Sequence, residues 1–260
     1  MELTAELSAL REPAPEGFAA RVLARTGVPA HRYDRYLRTD SRVGALYVAH
    51  GRGVVTGAAA VDWYPDSGAF ECAYRARTRR SVLSDSKPPP GLLRALRLGR
   101  DRSLRYDYGS LPDDQRAVLE ATRAVPSGQL RPAVWLAREA GLPDLPPEEV
   151  VAAVRANPVP VLVPAHRLCQ DDGLPADCGL PAGFVRRLRE AEGVDPERVR
   201  RFVRLGARFL GSGTTRIFCY PTCAHARRIT ARHEVPFTSA DEAAAAGFRG
   251  CLSCRPAAVR

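Results

Sequence analysis

Charged, helix-forming stretches alternate with short apolar runs along this chain, and their spacing predicts most of its elements. The first forty residues are rich in Arg, Glu and Ala, and Phe18–Arg25 reads as a helix within them. The pattern changes at Gly44. Ala45–Ala49 and Val54–Gly57 are apolar runs on either side of His50-Gly51-Arg52-Gly53, the layout of a β-hairpin. Phe70–Tyr74 reads as a further strand. Pro88-Pro89-Pro90 breaks the chain before a helical run over Leu92–Leu98.

Helical spacing then dominates. Val118, Leu119 and Thr122 share one face of a helix over Asp113–Ala124, which Pro126-Ser127-Gly128 closes. Further helices are expected over Pro132–Ala140, Glu148–Ala156 and Ala182–Glu192. Pro147 and neighbouring acids suit the first turn of the second of these. Val159–Pro164 is apolar and studded with proline. The mixture predicts an α+β protein without internal repeats. No apolar run approaches the roughly 20 residues of a bilayer span. The acidic start Met1–Glu6 lacks an apolar signal core, so a cytoplasmic location is expected.

Composition narrows the class. The chain has 260 residues, 45% hydrophobic and 26% charged, which excludes a disordered or fibrous protein and leaves room for two modest domains. The 39 basic residues outnumber 29 acidic ones, and all but Lys87 are arginine. A guanidinium grips phosphate oxygens in pairs, so nucleic acid is the expected partner. GC-rich codon usage is the competing source of so much arginine. Arg186, Arg187, Arg189, Arg198, Arg200, Arg201, Arg204 and Arg208 form a basic joint, read as either a solvated face or a phosphate contact.

Seven cysteines without an export signal do not suggest a disulfide framework. Cys219 and Cys223 form a C-x-x-x-C pair, and Cys251 and Cys254 a C-x-x-C pair. Two close pairs a few dozen residues apart are the layout of a four-sulfur Zn2+ site, with Pro221 and Gly250 supplying turns. His225 and His233 are spare ligands, read as surface histidines while four thiolates are available. Four thiolates around one divalent zinc carry excess negative charge, which leaves the sulfurs nucleophilic. Most such sites are structural, and the spacing leaves both readings open.

The stretch Thr214–Cys223, with Ala226-Arg227-Arg228 and Ala246–Pro256, resembles the zinc domain of the Ada methylation-response family over about residues 203–257. That resemblance implies Cys219 as the acceptor of a methyl group from a methylated phosphate of double-stranded DNA. Cys223, Cys251 and Cys254 match the other ligands, and Arg227 or Arg228 a phosphate-contacting arginine. Arg216 and Arg249, beside the cysteine pairs, are taken as further DNA contacts. The chain ends at Arg260 without room for a regulator helix-turn-helix pair, so a self-contained transcription activator is not expected.

Val125-Pro126-Ser127-Gly128, Leu136–Gly141, Asn157–Arg167 and Glu190–Gly193 resemble O6-alkylguanine-DNA alkyltransferases over roughly residues 44–193. The implied fold is a ribonuclease-H-like half followed by a helical half bearing a helix-turn-helix. Where the family has its nucleophilic cysteine this chain has Ala165, and a methyl side chain attacks nothing. Glu148 replaces an arginine that fills the hole left by a flipped base. Ala133 replaces a tyrosine that helps rotate the phosphate, and Cys178 a pocket tyrosine. His166, Arg167 and Glu192 match the relay that would activate the missing thiol. This half is therefore a relic scaffold, a lesion reader without transfer, or the seat of a new ligand or of a relocated nucleophile at Cys178 or Cys169.

The expected organisation is a helical extension (1–43), a ribonuclease-H-like half (44–108), an inactive alkyltransferase-like DNA-binding half (109–193), a basic linker (194–208) and an Ada-type zinc domain (209–260). The expected function is single-turnover methyl transfer to Cys219 by a monomer that touches no membrane. The alternatives are a non-reactive DNA-binding or sensing module and a scavenger of small alkylating agents.

Overall fold

The computed structural model describes residues 18–99 and 103–256. The part of the expected helical extension before Phe18 lies outside the described residues. Helix α1 is Phe18–Arg25. Strands β1 (Tyr33–Ser41), β2 (Gly44–Gly51) and β3 (Val54–Ala60) form an antiparallel meander, and β4 (Ser81–Ser84) runs parallel to β1. The sheet order is β3-β2-β1-β4. The boundary drawn at residue 43 therefore cuts through a sheet. Charged residues along β1 hide its strand character, yet Tyr33, Tyr36 and Leu37 are buried. Asp34 is buried as well, held by Arg80 and by the Tyr74 hydroxyl.

Residues 70–74 are helical rather than a strand. Helix α2 spans Ser67–Thr78, and the Asp66 side chain caps it by accepting from the Ala69 amide. Phe70 and Tyr74 lie one turn apart and bury together against the sheet, where Phe70 stacks on Tyr47 at 4.8 Å. Aromatic density gave these residues a strand-like local preference, and packing on the sheet overrides it.

Helices α3 (Leu92–Leu98), α4 (Asp113–Ala124), α5 (Ala133–Glu139), α6 (Pro147–Arg155) and α7 (Ala182–Ala191) follow. Two-residue strands β5 (Arg131–Pro132) and β6 (Leu168–Cys169) pair in parallel beside them. Val118 and Leu119 on α4 face two different cores, so this helix joins the N-terminal sheet to the helical middle. The expected linker is instead largely helix α8, Pro196–Arg204, with Asp195 as its N-cap and Phe202 buried.

The last unit is a sheet of β7 (Phe209–Ser212), β8 (Ile217–Cys219), β9 (Glu234–Phe237) and β10 (Arg249–Gly250), with helix α9 (Ala240–Ala245) crossing between β9 and β10. The order is β10-β8-β7-β9. Gly211 on β7 leaves room for two rings, since a Cβ there would stand 2.7 Å from Phe237 and Phe248. One core runs from Val118 and Trp135 through Phe202 and Phe209 to Cys254, so the sheet packs on the helical middle. Among the described residues no helix is long and apolar enough to cross a membrane.

Candidate metal centre and nucleic-acid interface

Parallel pairing of β8 with β10 sets Cys219 and Cys251 side by side at matching strand ends. The Cys251 amide donates to the Phe218 carbonyl at 2.9 Å and locks that register. Each strand then turns back. The Cys223 amide bonds the Tyr220 carbonyl, and the Arg255 amide bonds the Cys251 carbonyl. The turns carry Cys223 and Cys254 to the other two sulfurs, and the four buried sulfur atoms lie within 4.8 Å of one another.

So many sulfurs cannot all ionise in one buried place without a cation. Hydrogen bonding to Cys223 and Cys254, burial and the charge of its neighbours push the Cys219 thiol far up. Cys223, at the receiving end of such bonds, is drawn down. A soft, tetrahedral four-sulfur set is what zinc takes, so the donor chemistry fits that metal. His225 and His233 stand outside the cluster. His225 Nε2 lies 3.0 Å from Ser253 Oγ, bridging the two cysteine turns at the surface. His233 Nε2 accepts from Arg232.

A cleft of about 580 Å³ opens over the cluster. Of the four cysteines it reaches Cys219 and Cys251, while Cys223 and Cys254 lie behind them. Its wall carries Arg228, Arg232 and Arg249, both histidines, and the hydroxyls of Thr214, Thr215 and Ser253. Ile217, Ile229 and Leu252 supply an apolar part, and among the described residues no carboxylate lines the cleft. The cleft is cationic, rich in donors and backed by sulfur.

The expected DNA-contacting arginines divide. Arg228 and Arg249 line the cleft. Arg227 points toward the helical middle, where a Cβ on Gly128 would lie 3.2 Å from its Nη1. Arg216 packs over the Phe248 ring at 5.0 Å and donates to the Ala246 carbonyl. Arg232 is a cleft residue that the sequence reading missed, because its place depends on the turn at Ala231–His233. The basic joint is largely neutralised within the chain. Arg189 is buried, donating to the His166 and Leu168 carbonyls. Arg198 and Arg201 pair with Glu234, Arg200 with Glu197, and Arg208 with Asp171.

In the helical middle Ala165, His166 and Arg167 form a buried turn. His166 Nε2 lies 3.0 Å from Glu192 Oε1, and Arg167 Nε donates to the same carboxylate. Burial alone would raise the Glu192 carboxyl, but the His166 imidazole beside it and the hydrogen bonds and charge of Arg167 hold it at about 2. Ala133 is buried at the start of α5, and Glu148 is exposed in the first turn of α6. Burial raises the Cys178 thiol and pushes Cys169 up to about 12, which disfavours the thiolate at both.

Comparison with known proteins finds two matching stretches. Residues 201–257 match the metal binding domain of Ada, and residues 113–194 the DNA binding domain of 6-O-methylguanine DNA methyltransferase. A methylated-DNA–protein-cysteine methyltransferase of Methanothermobacter thermautotrophicus is 31% identical over 91 residues, covering 35% of this chain and 50% of the relative. The chain thus spans about half the length of the curated relative it matches. Similar solved structures include Mycobacterium tuberculosis OGT in complex with DNA, at TM-score 0.48 and 24% identity over 61% of this chain and 93% of that one. The O6-methylguanine methyltransferase of the same organism gives 0.49 and 23%, over 65% and 99%. The Pyrococcus kodakaraensis enzyme gives 0.45 and 21%, over 61% and 99%.

Proposed function

We propose that this chain, which carries an Ada-type metal binding domain beside a 6-O-methylguanine DNA methyltransferase DNA-binding domain, takes one methyl group from a methylated DNA phosphate onto Cys219. The observation that carries this reading is the cleft: cationic, free of carboxylates among the described residues, and reaching the sulfur cluster at Cys219 and Cys251. A methyl phosphotriester is neutral, with its phosphodiester neighbours charged on either side. Arg228, Arg232 and Arg249 hold those neighbours, and the apolar wall of Ile217, Ile229 and Leu252 faces the uncharged methyl ester.

Cys219, Cys223, Cys251 and Cys254 would hold zinc, which when bound keeps these cysteines as thiolates at neutral pH. The Cys219 sulfur attacks the methyl carbon from the side opposite the ester oxygen. An S–C bond forms and the C–O bond breaks. The electron pair stays on the phosphate oxygen, leaving an anionic phosphodiester beside the cleft arginines. The thioether product is inert, so the chain acts once. Sulfur loses one negative charge where it faces a polyanion, and DNA binding tightens.

Ala165 leaves the alkyltransferase-like half without a nucleophile at the position the resemblance assigns, and burial at Cys169 and Cys178 disfavours the thiolate that a replacement would need. The test is a duplex with one isotopically labelled methyl phosphotriester, compared with a duplex carrying labelled O6-methylguanine. The first gives up to one label per zinc-loaded chain, and the second gives none. Label taken from the guanine alone would reverse the assignment.

A further inference from the structure

The backs of both cysteine turns rest on the helical middle. At the second turn, Trp135 Nε1 on α5 donates to the Cys254 carbonyl at 2.9 Å. Arg138 donates to the next carbonyl, that of Arg255, whose side chain pairs with Glu139. At the first turn, the Leu130 amide donates to Thr222 Oγ1 at 2.9 Å, and Thr222 lies between Pro221 and Cys223.

A third grip comes from α8. Arg198 and Arg201 close on Glu234 at 3.0 and 2.8 Å, and the Glu234 side chain is only 4% exposed. Arg198 also donates to the Ala226 carbonyl, three residues beyond Cys223. Between these grips, Arg131 is buried at 1% exposure without a carboxylate partner among the described residues. Its guanidinium is sandwiched by the rings of Trp135 and Tyr220 at 5.3 and 5.2 Å, and Tyr220 follows Cys219 directly.

We infer that the alkyltransferase-like half, together with helix α8 that follows it, is a clamp for the metal-binding cysteine turns, with Trp135 of that half and Arg198 and Arg201 of α8 as positioning residues. A clamp needs no nucleophile, so Ala165 costs this role nothing. Groups that orient ligands from behind set how firmly a metal is held, and losing one changes affinity by about 10- to 100-fold. Carbonyls of Cys254 and Ala226 are such groups here, because they belong to the turns that aim the sulfurs. The inference rests on the four-cysteine site and not on methyl transfer, so it survives if that reading fails.

The test uses the zinc-loaded full chain and a chromogenic chelator in excess. Trp135→Phe keeps a ring beside Arg131 and removes the donor to Cys254. Arg198→Ala with Arg201→Ala opens the grip on Glu234. Each variant is expected to release zinc about tenfold faster or more. Glu148→Gln, on the exposed end of α6, releases it at the wild-type rate. Trp63, which packs on Phe184 in the other core, reports whether the rest of each variant is folded. Wild-type release rates in both folded clamp variants would overturn the inference.

Discussion

Ala165 stands 1% exposed beside His166, in a buried turn held by charge pairing with Glu192. Glu192 joins Arg167, the Gly128 amide and His166, and so ties α7 to two turns of the helical middle. Its carboxyl is held at about 2 against an ordinary 4.5, so its stabilisation is complete above pH 4.5 and lost as pH falls from there toward 2. Burial also lowers His166 from 6.5, and its neutral form favours the fold above that pH. Glu192→Gln leaves Arg167 buried without its anion and is expected to cost about 3–5 kcal/mol near pH 7. Urea titrations between pH 7 and 3 should show wild type and variant converging as acid protonates the wild-type carboxyl. A constant gap down to pH 3 would contradict this. The four zinc-binding cysteines were legible from spacing alone. The choice between Arg227 and Arg228 was not, because it depends on which way one turn after Cys223 faces.

At the scale of elements, local signals were legible where one pattern ruled. Helices over Phe18–Arg25, Leu92–Leu98 and Asp113–Ala124 sit where spacing placed them. Strand β1 escaped because six of its nine residues are charged, serine or threonine and its partners arrive later in the chain. Helix α2 escaped in the opposite way, through aromatic residues that suit a strand locally but bury on a helix one turn apart. The basic joint looked like a linker because its charges are dense. In the fold these charges are internal fasteners, and Glu234, about thirty residues further on, is the partner that a local reading cannot see.

For the whole molecule, a formal charge of +10 is a poor guide to where DNA lies, since so many arginines are paired internally. The cleft concentrates the remaining charge in Arg228, Arg232 and Arg249. Three phosphate contacts give a slope of log Kobs against log salt of about −3. Arg228→Ala and Arg249→Ala should each reduce that slope by about one, without altering sequence preference. Slopes unchanged in both variants would move the DNA interface elsewhere on the chain.

The most direct measurement is a peptide mass map of the zinc-loaded chain after incubation with DNA bearing methyl phosphotriesters. The account predicts a single added methyl, on Cys219. A methyl on Cys251, Cys178 or Cys169, or an unmodified chain that still holds its zinc, would contradict it.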